Sequence, residues 1–415
     1  MLMKWLNRLN IKKGEAVFSA VALVLIVVLL FVDTGFETNA YPNSARVKVE
    51  ITEVDNTGVY RAGGMILQGS QICKVKVLNG EYQGGIYSAE NFFMGKLEMD
   101  KVFEPGDQAL AVIDYNEADI TYVTLVDHYR LNLELMLFLG FLLLLVLFAG
   151  GTGIKAFITF IFSILMIWKV LVPLFLKGVS PVPVSLVVVS LMTFMTITLV
   201  AGWNRKSLVA VLGSLAGSLL TCALAVIFGK AFKIHGAILP YSESLLYSGY
   251  GHINLTEIFI AGIFIASAGA LMDLSMDIAA AIHELVEKKP GISRKEAILS
   301  GFSIGRAVVG TMTTTLLLAY SGGYMSLLMV FMAQGTPLMN ILNLKYVSAE
   351  ILHTLVGSVG LVTVAPFTAI LAGWLLTGRV SAEAPDAGTN LNLTKAGQAP
   401  NTSPVELSIE ASREG

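Results

Sequence analysis

The chain has 415 residues, of which 55% are hydrophobic and only 14% charged, and its mean hydropathy is +0.71. Apolar runs long enough to cross a bilayer recur along it, which indicates an integral membrane protein. A formal net charge of −2 of mixed sign gives no general attraction to nucleic acid, so we expect no such partner.

Enzyme motifs are missing from the sequence. Walker A, HExxH and GxSxG patterns are absent, which argues against the commonest routes to nucleotide hydrolysis, zinc proteolysis and serine hydrolysis. The two cysteines, Cys73 and Cys222, provide neither a disulfide framework nor a zinc spacing. We therefore expect no enzymatic activity and no cofactor.

The N-terminal region, residues 1–33, combines basic residues with an apolar run. Lys4, Arg8, Lys12 and Lys13 precede an uncharged stretch at 16–32. Because basic flanks stay in the cytoplasm, this region predicts a cytoplasmic N-terminus followed by a first transmembrane anchor. A cleaved signal peptide ending near Ala40 is the alternative, but the run is longer than most such apolar regions and the small-residue site lies well beyond it.

Residues 34–130 change character. Apolar and polar residues alternate at 46–51 and 73–78, which is the period of a strand with one buried face. Gly-rich and Asn-Gly turn signals separate these stretches. The pattern predicts a small β-rich domain, a barrel or a sandwich with an OB-like form as one option, and its place after the first anchor puts it outside the cytoplasm.

Residues 131–378 form the predicted helical membrane core. Basic residues in the loops at 204–206 and 288–295 place both loops in the cytoplasm. Gly213 and Gly217, with Ser214 and Ser218, form a small-residue face suited to close helix packing. The predicted spans are 131–149, 154–174, 182–202, 207–229, 254–275, 300–321 and a last one near 352–377.

The segment at 324–343 is apolar but interrupted by polar residues, glycine and proline, which is typical of a broken or re-entrant helix. If it turns back, the last span ends in the cytoplasm beside Arg379; if it crosses, the C-terminus lies outside. We favour the first, which gives about eight to nine transmembrane helices including the anchor. Residues 379–415 have the polar composition of a disordered tail.

Ionisable residues in the membrane core are the candidate site. Asp273 and Asp277 are four apart and share a helix face, and Arg306 opens the next span. At bilayer depth such groups are costly and are functional candidates by default. The acids are interpreted as ligands for a coupling ion or proton, with the cap of a helix end as the alternative. Arg306 is their counter-charge or an anion clamp.

Neutral oxygen donors complete the predicted set. Thr311 and Thr315 share a face and would suit a hard cation, although threonine hydroxyls more often bond to their own helix. Gln334 and Asn340 lie in the broken segment. Glu350 is the remaining acid near a span, and His353 beside it is either a proton relay or an interfacial side chain.

Several stretches together resemble the YibE/F family of bacterial membrane proteins. They are 269–278, Gly305-Arg306 with the following Gly310-Thr311-Met312, 315–320, and the ending from Glu350 to Pro366. The resemblance extends over nearly all of 16–378 and implies a transport-related bacterial membrane protein; we place it in the inner membrane and expect a small ion or molecule as substrate.

The leading hypothesis is a secondary transporter or ion-coupled permease. The alternative is a non-transporting membrane scaffold or sensor whose outer β-domain binds a partner. An intramembrane enzyme is weaker, because two aspartates one turn apart on one helix do not resemble a dyad built from two facing helices. Besides the lipid bilayer, a homo-oligomer or a membrane partner is expected.

Overall fold

The computed structural model describes residues 13–36, 43–116 and 119–377. The predictions for the basic N-terminus, the cleavage site and the polar tail lie outside these residues. The first helix, α1 (Lys13–Phe31), coincides with the predicted anchor. Its Ala22 and Ile26 are buried against Phe162 and Val188, so α1 is packed onto the helical core.

Six strands form the predicted β-domain. The sheet order is β1-β5-β6-β4-β3-β2, and β1 also pairs with β3, so that five of the strands close into a barrel. The β4–β6 pair is parallel and the other pairs are antiparallel. The strands are β1 (Ser44–Asp55), β2 (Val59–Ala62), β3 (Ile66–Val77), β4 (Ile86–Met94), β5 (Gln108–Asn116) and β6 (Asp119–His128).

The barrel interior is built by the alternation read in the sequence. Val47, Val49 and Ile51 of β1 are buried, and their neighbours face outward. One end of the barrel is filled by Phe103, which is 1% exposed and comes from the loop between β4 and β5. Phe103 N–H donates to Gln71 Oε1 (3.1 Å), so this loop is fixed to the strands.

Helix α2 (Leu131–Leu165) is a hairpin rather than a rod. Its backbone leaves helical geometry at Gly150 (φ 56°, ψ −128°). The rings of Phe138 and Phe157 lie 5.4 Å apart, whereas 19 residues of straight helix would separate them by about 28 Å. The turn therefore falls between the two spans predicted at 131–149 and 154–174.

The remaining helices form the bundle. Within the described part, six helical segments are long and apolar enough to cross a membrane: 131–176, 181–201, 205–231, 255–288, 294–333 and 345–376. The helices are α3 (Val172–Leu176), α4 (Pro181–Ala201), α5 (Arg205–Ala231), α6 (Ser242–Leu245), α7 (Leu255–Lys288), α8 (Arg294–Ser321), α9 (Met325–Ala333), α10 (Leu338–Asn343) and α11 (Lys345–Leu376).

Short polar residues start three of the long helices. Asn204, Asn254 and Ser293 each accept a hydrogen bond from the backbone N–H three residues on, at 2.9, 3.1 and 3.2 Å, before α5, α7 and α8. These caps satisfy N–H groups that the first helical turn leaves unpaired. The helix starts thus follow from local sequence.

Small residues let α11 pack closely on its neighbours. Gly213 and Gly217 of α5 contact Thr368 and Val364 of α11, as their predicted packing role requires. On the other side of α11, Gly305 of α8 packs against Ala365. Helix α11 therefore lies at the centre of the bundle, against α5, α7 and α8.

The segment predicted as broken consists of two short helices, α9 and α10, separated by 334–337. Gly335 adopts φ 63°, and Pro337 precedes α10. Residues of α8 and α9 face α11 in antiparallel order, from Gly305 opposite Ala365 to Tyr320 beside His353. Thus α9 extends α8, and α11 returns. The end of α11 lies at the same end of the bundle as the start of α8. This agrees with the interpretation we favour, in which the last span ends on the same side as the basic loop at 288–295.

Candidate polar sites in the helical bundle

Asp273 and Asp277 lie on an exposed face of α7, as their spacing predicts. The same face carries Ala266 and Gly269, and a side chain added at Gly269 would meet open space. In the described part of the chain, neither carboxylate has an ion-pair partner. The two acids therefore share a face, and the chain by itself leaves that face uncovered.

Arg306 lies on α8 in a groove between α8 and α11. The groove has a volume of about 500 Å³ and is lined by Phe302, Gly305, Arg306, Val309, Gly310, Val362, Ala365 and Pro366. No α7 residue lines it, and among the described residues no ion pair joins Arg306 to Asp273. The predicted pair is not formed, since Arg306 borders the groove between α8 and α11 and not the face of α7 that carries Asp273.

The predicted neutral ligands are either bonded to backbone or far along the bundle. The hydroxyls of Thr311 and Thr315 donate to the carbonyls of Val308 (2.9 Å) and Thr311 (3.0 Å), which is the ordinary behaviour of threonine within a helix. Gln334 and Asn340 are exposed in the turn between α9 and α11. Gln334 and Asn340 therefore lie far along the bundle from the two acids, whereas the hydroxyls of Thr311 and Thr315 are already bonded to their own helix.

A different polar cluster is assembled where α8 meets α11. The rings of Tyr320 and His353 are stacked, with centroids 4.2 Å apart and 22° between their planes. Tyr320 Oη, His353 Nε2 and Glu350 Oε1 are all buried and have no hydrogen-bond partner within the described chain. Tyr320 and Tyr324 both lie within electrostatic reach of Glu350. Buried polar atoms without partners are rare, so this cluster requires an explanation.

The cluster borders a cavity of about 270 Å³. Glu350 and Tyr324 line this cavity together with apolar residues of both helices. The other lining residues are Leu317, Ser321, Leu327, Leu328, Val347, Ile351, Thr354 and Leu355. The wall of this cavity is apolar, and Glu350 Oε1 lies behind it without contact with the open space.

The cluster of Tyr320, Glu350 and His353 lies at a different level along the bundle axis from Arg306 and Asp277. Gly305 packs against Ile278, which puts Arg306 and Asp277 at one level of the bundle. Gly305 also packs against Ala365, which lies 15 residues after Glu350 along α11, so about 22 Å separates the two levels. The predicted residues therefore belong to two regions of the bundle.

The sequence pointed to Glu350 and His353 but not to Tyr320. Glu350 and His353 are three residues apart and so share one helix face, a signal that was available. Tyr320 lies at the end of the preceding span, and only the antiparallel packing of α8 on α11 brings its ring to His353. Pairing between helices is not encoded in local spacing.

The fold and these sites define a polytopic helical membrane protein with an N-terminal β-barrel domain. A family model described as YibE/F-like protein matches residues 137–378, which is more than half of the chain, and the chain belongs to this family. The match begins within α2, so α1 and the barrel lie outside it. No curated protein and no solved structure matches the chain.

Proposed function

We propose that the chain is a secondary transporter or ion-coupled permease of the bacterial inner membrane, with a small ion or molecule as substrate. The observation that carries this proposal is the cluster of Tyr320, Glu350 and His353, in which Tyr320 Oη, Glu350 Oε1 and His353 Nε2 are buried and lack partners in the described chain. Ionisable side chains inside a membrane bundle typically mark ion pathways and proton relays. Membership of the YibE/F-like family is consistent with such a role.

Glu350 is the proposed loading group, by which we mean the side chain that binds the proton or cation during transport. In these apolar surroundings Glu350 has only a hydrogen bond with Thr354, and no cation beside it among the described residues, so the carboxyl group is more stable when it is protonated or when a cation is bound. His353 is the neighbouring proton carrier, since its ring is stacked on Tyr320 and its Nε2 is unpaired. Binding of a proton or cation to Glu350 would change the charge at the interface between α8 and α11. It would thereby shift the equilibrium between different packing arrangements of these helices.

Asp273 and Asp277 keep their predicted role at the other level of the bundle, and Arg306 keeps only its alternative role as an anion clamp. The two acids would be ligands for the coupling ion where the exposed face of α7 is covered by water or a second subunit. Thr311, Thr315, Gln334 and Asn340 remain predicted neutral ligands, with weaker support because both threonine hydroxyls are already bonded to backbone.

A ligand panel tests the proposal. The thermal stability of the purified protein is measured against protons, Na⁺, K⁺, Mg²⁺ and small anions, because a ligand that binds the native state raises its stability by mass action. We expect one cation or acid pH to stabilise the wild type and not Glu350→Gln. Glu257→Gln is the matched control and should behave as wild type, because Glu257 is a partly exposed acid at the start of α7 and the amide oxygen that replaces it can still accept from Asn254. Equal responses of Glu350→Gln and wild type would contradict the proposal.

The barrel is proposed to be OB-like and to lie outside the cytoplasm. A closed five-stranded barrel with a single parallel pair between β4 and β6 matches the strand order of that fold. In a background without the native cysteines, Lys96→Cys is treated with an impermeant maleimide in intact spheroplasts. Labelling before lysis is expected; labelling only after lysis would place the barrel in the cytoplasm.

A partner-binding scaffold or sensor is the second candidate function, because the barrel exposes a group of large apolar side chains. They are Met65 (78% exposed), Phe92 (51%), Met94 (68%), Leu97 (76%) and Met99 (46%). Met94 pairs with Gln68 on β3, and Gly95 contacts Ile66, so the two strand ends adjoin. Exposed apolar groups of this kind often mark interaction sites. A Phe92→Ser/Met94→Ser variant tests this role. It would be favoured if the variant keeps the ion response of the wild type but no longer complements a deletion of the gene in cells.

A further inference from the structure

We propose that the groove around Arg306 binds the phosphate and one acyl chain of an anionic phospholipid from the surrounding bilayer. The groove lies between two helices that are long and apolar enough to span a membrane. Seven of its eight lining residues are apolar or glycine, and Arg306 provides the only charge. An apolar groove with a single cation at one place is complementary to an anionic amphiphile.

The unpaired state of Arg306 is the first observation. Within the described residues its guanidinium forms neither an ion pair nor a side-chain hydrogen bond. Arginine at bilayer depth is costly unless it is paired, hydrated or able to reach the interface. The planar guanidinium binds phosphate through two parallel hydrogen bonds, so a lipid phosphate would satisfy it with good geometry.

The depth of Arg306 suits this occupant. Arg306 lies 10 residues after Glu296, the last preceding charge on α8, which is about 15 Å of helix. The span that contains Arg306, residues 294–333, is about 60 Å long, twice a hydrocarbon core of about 30 Å. The start of α8 can therefore extend beyond the core and bring Arg306 within reach of the lipid phosphates by its extended side chain. The groove continues from the guanidinium along Val309 and Val362, where an acyl chain can lie.

The shape of the groove depends on Gly310 and Pro366. A Cβ added at Gly310 would meet nothing within 4 Å, so the missing side chain leaves the groove open. Pro366 lies inside α11 and has no N–H, which leaves the carbonyl of Val362, four residues earlier, without its usual helical partner.

Native mass spectrometry of the delipidated full-length protein tests this proposal, with added phosphatidylglycerol, phosphatidylcholine and oleate as probes. We expect phosphatidylglycerol to bind the wild type more tightly than phosphatidylcholine does. Arg306→Gln should weaken phosphatidylglycerol binding about 10- to 100-fold, as loss of a charge-assisted pair implies. Arg306→Lys keeps the charge without the planar fork and should be intermediate.

A second variant separates the acyl contact from the charge. Gly310→Leu fills the groove and should weaken phosphatidylglycerol binding with Arg306 intact. Gly262→Leu on α7, where an added Cβ also meets open space, is the matched control and should bind as wild type. Equal binding by wild type, Arg306→Gln and Gly310→Leu would overturn the proposal. Preference for oleate over phosphatidylglycerol would also overturn it, in favour of a free amphiphile as occupant.

Discussion

Replacing Phe103 with alanine should open the end of the β-barrel. Phe103 is 1% exposed, packs in the core with Val75 and Ile113, and lies 4.7 Å from His128 between ring centroids. Truncating a buried phenylalanine costs about 3–5 kcal/mol, because apolar contact is lost and a cavity remains. At about 1.4 kcal/mol per tenfold change, the fraction of open barrel should rise on the order of 10²-fold to several thousandfold.

The thiol of Cys73 reports this opening. It is fully buried on β3 inside the barrel, and burial raises its pKa to about 11. At pH 8 a thiol reagent should therefore react with Cys73 only when the barrel opens, at a rate proportional to the open fraction. The measurement uses full-length protein carrying Cys222→Ala, with Val102→Ala, an exposed neighbour of Phe103, as the control. A change of less than tenfold for Phe103→Ala would refute the role of Phe103 as the filler of the barrel end.

Two further predictions concern helix packing and the junction between barrel and bundle. The added side chain in Gly213→Val should overlap Thr368 and lower the free energy of unfolding by about 1–3 kcal/mol, whereas Gly262→Val should be nearly neutral. Thermal unfolding compares the two variants. Equal losses of stability would contradict the close contact between α5 and α11. Asp127 pairs with Arg130 at 2.9 Å, and a hydrogen bond from Arg130 lowers the pKa of Asp127. Because the folded pKa is the lower one, this stabilisation is present above the usual value of 3.8 and is lost as the pH falls through the folded pKa. Both side chains are about half exposed, so Asp127→Asn should lower the free energy of unfolding by less than about 1 kcal/mol at pH 7 and should leave it unchanged near pH 2. Urea unfolding at the two pH values measures this difference. A midpoint that shifts equally at both would contradict the assignment.

Local signals in the sequence predicted most of the architecture. The alternation of β1 and β3 predicted strands, and the Gly213/Gly217 spacing predicted a helix contact that the structure contains. Polar and glycine-rich residues predicted the break at 334–337. These features depend on residues close in sequence, which is why they could be read directly.

Features that depend on distant residues were not predictable in this way. Phe103 comes from a loop without strand periodicity, and only the closed barrel makes it part of the core. The pairing of Arg306 with Asp273 was a reasonable hypothesis from chain order, but the sequence does not say which side of α8 faces α11. The stacking of Tyr320 on His353 likewise depends on the register between two long helices.

The most direct test of the proposed function is the charge displaced when protons or cations are applied to the protein in proteoliposomes on a solid-supported membrane. Loading a buried carboxyl group moves charge within the membrane and produces a transient current. We expect a pH or cation jump to produce this current in the wild type and in Glu257→Gln, and to produce none in Glu350→Gln. A current of wild-type size in Glu350→Gln, or no current in the wild type with any ion, would contradict the role of Glu350 as the loading group.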